Sequence, residues 1–153
     1  EIAAWCKANG KTMYQYMIDI YKNVGVYQEA LVNVVKKGRT GAEEINQMMV
    51  DFRNNPPKSL AGSLVTEVKD FQEQTCLDVI SGEKKVMNDI PKSNVLIYYT
   101  EDGTKICIRP SGTEPKIKFY FSVKGSVANE SDYKAEVARL EKKFDIVKQD
   151  LKL

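Results

Sequence analysis

Val95-Leu96-Ile97-Tyr98-Tyr99-Thr100-Glu101-Asp102-Gly103-Thr104-Lys105-Ile106-Cys107-Ile108-Arg109-Pro110-Ser111-Gly112-Thr113-Glu114-Pro115-Lys116-Ile117-Lys118-Phe119-Tyr120-Phe121-Ser122-Val123-Lys124 is the stretch that decides the fold. Val95 to Thr100 is a run of branched and aromatic residues, the composition of a strand. Glu101 to Thr104 carries Asp-Gly, which suits the positive φ angles of a tight hairpin. Lys105 to Arg109 is the partner strand. From Lys116 to Lys124, Ile117, Phe119, Phe121 and Val123 alternate with Lys116, Lys118, Tyr120 and Ser122, so one face is core and the other polar.

Outward from there the period changes to that of helices. Thr40 and Glu43 have capping-box spacing. Ile45, Met48, Met49 and Phe52 then fall at i, i+3, i+4 and i+7, a core stripe that ends at Asn54-Asn55-Pro56-Pro57. Leu64 to Phe71 reads as a strand, and Gln72 to Ser93 as irregular with a turn at Ser81-Gly82-Glu83. Near Ser131 a last helix begins, its stripe Tyr133, Val137, Leu140, Phe144, Val147 and Leu151 repeating at intervals of 4, 3, 4, 3 and 4. At the other end, residues 1–9 and Thr12 to Val24 predict two helices, the second with an apolar stripe at Met13, Met17, Ile20 and Val24 and Gly25 as its cap. Tyr27 to Val35 is extended, and Lys36-Lys37-Gly38-Arg39 is a solvated turn. The expected architecture is α+β: a mainly antiparallel four-stranded sheet with helices on one face, preceded by a helical hairpin.

The 153 residues suit one domain of ordinary size, and 42% hydrophobic residues are enough for a buried core. A net charge of +2 lacks the footprint of a nucleic-acid binder. No stretch reaches the roughly 18 apolar residues of a membrane span. The chain has no histidine, so the commonest general base and metal ligand are missing. Cys6, Cys76 and Cys107 form no CxxC pair and read as idle thiols of a cytoplasmic protein. The chain opens on Glu1, within a helical pattern, which reads as a piece of a longer protein.

Chemistry concentrates between the two central strands. Pro110 and Pro115 fix their own φ angles at either end of the connection. Gly112 permits positive φ and a close ligand approach. Ser111, Thr113 and successive backbone N–H groups form a candidate anion nest. Arg109 adds a planar fork that can hold two phosphate oxygens, and Lys116 or Lys118 supplies a second charge. The pattern lacks the lysine placement of a Walker A loop. On these residues alone the loop is either a phosphate site or a rigid turn in which Arg109 pairs with Glu114.

Arg109-Pro110-Ser111-Gly112-Thr113-Glu114-Pro115, followed by Lys116-Ile117-Lys118-Phe119-Tyr120, resembles the phosphate-binding loop of the α-D-phosphohexomutases, the phosphoglucomutase and phosphomannomutase family. Lys37-Gly38-Arg39-Thr40-Gly41-Ala42-Glu43-Glu44-Ile45, Met48-Met49, Phe52-Arg53 and Pro56-Pro57 resemble the entry to that family's fourth domain. The resemblance implies a fold similar to the TATA-box-binding protein. It makes residues 1–35 the end of the third domain and residues 36–153 the C-terminal phosphate-binding domain. Arg109, Ser111, Gly112, Thr113 and Lys118 are implied to bind the substrate phosphate. The implied reaction interconverts hexose 1-phosphate and hexose 6-phosphate through a bisphosphorylated sugar. It uses a phosphoserine and a magnesium ion on other domains, whose TASHNP and DGDxDR patterns are absent from this chain. The expectation is a piece inactive alone, with a hexose phosphate as ligand and the missing N-terminal mutase domains as partners in cis. The alternative is an interaction or structural domain without ligand chemistry, anchored by Tyr98, Tyr99 and Tyr120.

Overall fold

In the computed structural model, which describes residues 1–38 and 40–153, the order of elements is α1 (Ile2–Ala8), α2 (Met13–Val24), β1 (Val26–Val35), α3 (Gly41–Asn54), β2 (Ser59–Leu60), β3 (Ser63–Asp70), β4 (Thr75–Asp78), β5 (Lys84–Val86), β6 (Leu96–Thr100), β7 (Lys105–Pro110), β8 (Lys116–Gly125), a 3₁₀ turn (Glu130–Asp132) and α4 (Tyr133–Asp150). Arg39, part of the predicted turn and of the segment resembling the family, lies outside the described residues.

The alternation in β8 is what organises the sheet. Ile117, Phe119, Phe121 and Val123 are fully buried, while Tyr120 and Lys124 of the other face are exposed. Both long helices cover that one face. Phe52 of α3 meets Phe119 edge-on at 5.7 Å, and Phe144 of α4 meets Phe121 at 6.3 Å. Phe119 and Phe121 are two apart on one strand and so point the same way. Burying each such ring stabilises the fold by about 1.5–3 kcal/mol. The stripes of α3 and α4 join this core: Ile45, Met49, Leu140, Phe144, Val147 and Leu151 are buried, with Met48, Phe52, Tyr133 and Val137 packed against them.

The sheet is wider than the four strands expected. Strands run in the order β1-β8-β7-β6-β3-β4-β5, every pairing antiparallel, with β2 on β3. The extra width comes from the stretch expected to be irregular. There Thr75–Asp78 and Lys84–Val86 close a short hairpin onto β3. These strands are too short and too charged to show a period. β1 pairs with β8 over its whole length, from Val26 opposite Gly125 to Val35 opposite Lys116.

Three local expectations fail. Thr40 makes no side-chain cap bond, since its own φ and ψ are already helical. The complete capping box belongs to Thr12 and Gln15 at the start of α2. In α2 the buried residue is Ile18, and Met13, Ile20 and Val24 of the predicted stripe are exposed. The helix instead turns Tyr21 onto Tyr133, the rings stacked at 5.5 Å. Tyr98, expected as an exposed anchor, is wholly buried, and its hydroxyl donates to the carbonyl of Phe52 at 2.8 Å. Burial pushes that phenol well above its ordinary pKa. Tyr99 is half-buried under the Lys69 ammonium, and Tyr120 alone of the three is exposed.

A polar pin holds the end of the sheet where β6 turns into β7. Gly103 takes the positive φ expected of the turn. The carboxylate of Asp102 accepts from Thr100 Oγ1, from the backbone and hydroxyl of Thr104, and from Lys143 of α4. Lys143 Nζ also donates to Thr104 Oγ1 at 2.7 Å. Lys143 is 9% exposed at its side chain and Asp102 42%. Burial alone would raise the Asp102 pKa, but the bonds from Lys143, Thr104 and Thr100 outweigh it and hold the carboxyl well below its usual range. A depressed carboxyl contributes stability that is complete above its unfolded pKa and lost as pH falls through the folded one. Asp102→Ala leaves the Lys143 ammonium buried and unpaired. We expect a loss of about 2 kcal/mol by urea unfolding at pH 7, below the figure for a fully buried pair because Asp102 is partly solvated. The gap from the parent chain should stay constant down to about pH 5 and narrow below about pH 4.

Candidate phosphate-binding cleft

β7 ends at Pro110 and β8 begins at Lys116, so Ser111 to Pro115 form the connection. Its ends are tied. Ser111 N donates to the Lys116 carbonyl at 2.8 Å, and Lys116 N donates to the Glu114 carbonyl at 2.7 Å. The carbonyl of Pro115 accepts from Lys36 N at 2.9 Å, which fixes the connection to the exit of β1. Between these ties, Thr113 N makes only a long contact of 3.4 Å to Ser111 Oγ. Among the described residues, the amides of Gly112 and Glu114 have no acceptor.

Gly112 does not use the positive φ that a glycine permits. A Cβ at that position would meet nothing within 4 Å, so the glycine leaves open space above the loop. Glu114 pairs with Lys116, not with Arg109, and this pairing lowers the Glu114 pKa. Lys116 is therefore occupied in neutralising the loop's own carboxylate.

Ser111, Gly112 and Thr113 line a cleft of about 570 Å³ against the start of α3, whose far wall includes Ala42, Ile45 and Asn46. Arg109 and Lys118 do not line it. They are register partners across β7 and β8. They alternate with buried Ile108, Ile117 and Phe119, so they stand side by side on the face of the sheet that α3 and α4 leave bare. The loop thus separates hydroxyls and amides on the helix side from two cations on the other. Asn46 and Asn94, which also line the cleft, were not singled out from sequence. Asn94 precedes β6 in a stretch without period, and only its bond from Arg53, 41 residues earlier in the chain, places it.

A second depression, of about 470 Å³, lies on the bare face among Leu31, Cys107 and Tyr120, with Lys105 and Glu29 at its rim. All three cysteines are free, and burial raises the Cys76 and Cys107 thiols. Among the described residues no group of three or more His, Cys, Asp or Glu side chains is placed to hold a metal. No described helix is long and apolar enough to cross a membrane.

The sheet, its two covering helices and the loop at the end of β7 define an α+β domain with a cleft beside that loop. Residues 31–140 match the family described as phosphoglucomutase/phosphomannomutase, C-terminal domain, and the chain belongs to that family. It is 36% identical over 115 residues to a phosphoglucomutase of Staphylococcus saprophyticus, covering 75% of this chain and 20% of that protein. It is also 36% identical over 122 residues to a phosphoglucomutase of Staphylococcus aureus strain COL, covering 80% and 22%. The chain thus spans about a fifth of the length of these relatives. A solved open form of the Paramecium phosphoglucomutase pp63/parafusin overlaps 91% of this chain and 23% of its own, at 12% identity and a TM-score of 0.44, too low to weigh.

Gly41 sets the distance between α3 and the loop. A Cβ there would lie 2.6 Å from the backbone oxygen of Lys36, whose amide holds Pro115. Gly41→Ala is expected to cost about 1–3 kcal/mol by thermal or urea unfolding, as overpacking against backbone does. It should also shift the amide resonances of Ser111 to Glu114, which a purely local effect on α3 would leave in place.

Proposed function

We propose that this chain is the part of a phosphohexomutase that grips the substrate phosphate, in an enzyme that interconverts hexose 1-phosphate and hexose 6-phosphate through a bisphosphorylated sugar. The observation that carries this reading is the loop at the cleft: two hydroxyls, Ser111 and Thr113, and the unpartnered amides of Gly112 and Glu114, in a member of this family. Such donors satisfy the oxygens of a dianion without a metal. Arg109 and Lys118 are assigned to the ligand by the family resemblance alone, since they stand on the bare face, outside the lining of the cleft. Glu114, neutralised by Lys116, shapes the loop and does not touch a like-charged ligand.

In phosphoryl transfer most of the catalytic work is positioning and charge stabilisation, and a clamp on the distant phosphate supplies the first. Because the sugar must turn over between the two transfers, the clamp has to accept either end of it. Groups that contact phosphate alone meet that requirement. We assign the phosphoserine and the magnesium ligands to domains that this chain lacks, and expect no mutase turnover from it alone. The helical hairpin is proposed as the end of the preceding domain, a reading supported by its exposed Met13, Ile20 and Val24. The likeness to the TATA-box-binding protein is carried over as a proposal, supported by one antiparallel sheet with both long helices on a single face. Free thiols suit a reducing cytoplasm.

A second reading, an interaction domain without ligand chemistry, is favoured by Leu31 and Tyr120, which lie exposed beside each other on the bare face. An amide-resolved titration with glucose 6-phosphate, with glucose as control, separates the two. Phosphate-dependent shifts at Ser111 to Thr113, with affinity on the order of millimolar, are expected of an isolated clamp. Arg109→Ala should weaken that binding by roughly tenfold, through loss of a charged hydrogen-bonding partner. Silence of the loop up to tens of millimolar, on the order of the weakest useful affinity, would leave the interaction reading standing.

A further inference from the structure

Asn94 is a lining residue of the cleft whose side-chain orientation is imposed by a charge. Arg53 Nη2 donates to Asn94 Oδ1 at 2.6 Å. A guanidinium has no acceptor, so the atom that faces it must be the carboxamide oxygen and the amide group must point away. Arg53 is itself fixed. Its Nε donates to Asp70 Oδ2 at 3.0 Å, with both side chains only 13% exposed. Asp70 is held in turn at its other oxygen by the amides of Gln72 and Glu73. At the end of α3, the Tyr98 hydroxyl caps the carbonyl of Phe52, the residue before Arg53. The chain Asp70–Arg53–Asn94 is thus built from α3, β3 and the entrance to β6, and it stops at the cleft.

The Asn94 amide carries two N–H donors, and among the described residues no acceptor takes either one. Asn94 shares the cleft with Ser111, Gly112 and Thr113. Resting on the phosphate-clamp reading, we infer that Asn94 is a further donor to the bound phosphate, and that Arg53 is the positioning residue that holds it there. The arrangement divides two jobs. Arg53 is locked in an ion pair away from the ligand and lends no charge to it. A neutral amide, whose flip is blocked by Arg53, meets the phosphate in its place. The preorganised donor does not have to be ordered at the moment of binding, which is where preorganisation gains affinity.

The test is titration of the parent chain, Asn94→Ala, Asn94→Asp and Arg53→Lys with inorganic phosphate, followed at the amides of Ser111 to Thr113. Asn94→Ala is expected to weaken phosphate about fivefold, the effect of losing one hydrogen bond of typical net strength. Asn94→Asp keeps a partner for Arg53 and so preserves the fold, yet sets a carboxylate at the cleft. Its binding should fall by more than about tenfold, since like charges oppose. Arg53→Lys loses the planar fork. Its effect on phosphate affinity should vanish in the Asn94→Ala background, while its cost in stability persists. A merely structural arginine would weaken binding equally in both backgrounds. If the parent chain shows phosphate-dependent shifts and Asn94→Ala binds phosphate as tightly, the inference is overturned and the loop reading survives. If Asn94→Ala weakens glucose 6-phosphate but not inorganic phosphate, the contact is to the sugar and the assignment to phosphate is wrong. If the parent chain itself shows no shift, the loop reading fails and takes the inference with it.

Discussion

The burial of Phe119 and Phe121 on one face of β8 is the constraint on which the rest depends. A strand exposes its two faces by strict alternation, so these rings cannot be buried without lifting Lys118, Tyr120 and Ser122 to the other side. The same choice dictates where α3 and α4 lie, because both cover the aromatic face. It carries into β7, where Ile106 and Ile108 follow their partners inward and leave Arg109 on the bare side. The separation of the two cations from the hydroxyls and amides of the loop is therefore a consequence of core packing. A slip of one residue between β7 and β8 would exchange the two sets and expose the core at once.

The register is guarded at both ends of β7. At one end stands the loop, tied by Ser111 to Lys116. At the other, roughly 20 Å away along the strand, Lys143 grips Asp102 and Thr104. A lysine so nearly buried is costly unless it is paired and hydrogen-bonded, and here α4 presents it to a carboxylate and a hydroxyl. The polar pin thus gives the apolar packing of α4 a unique placement along the sheet.

Much of this was legible in the residues. The central hairpin, the alternation of β8 and the stripes of α3 and α4 are periodic over a long enough stretch to read directly. β4 and β5 were not, because strands of four and three residues are too short to show a period and exist only by pairing, β4 with β3 and β5 with β4. The stripe of α2 misled because exposure is settled by what the helix meets, and Ile18 and Tyr21 meet more than Met13 or Ile20. The Thr40 box misled because its spacing is necessary but the residue's own φ and ψ must also be extended. At the cleft, Ser111, Gly112 and Thr113 sit together because they are adjacent in sequence. Asn94 and Asn46 come from other elements, and no local pattern announces a residue whose place is set by a partner 41 positions away.

The two rims of the sheet are unlike. At one, β5 is three residues long and carries Lys84 and Lys85, a short and charged border that discourages another strand from joining. At the other, β1 runs for ten residues with Glu29 as its only charge and no proline, and leaves Tyr27, Leu31 and Val35 uncovered. In concentrated solution the colloidal behaviour of this chain is thus governed by a single border. Strand-to-strand growth, where it begins, begins along β1, and a lysine placed there would do more for solubility than one placed anywhere on the helices.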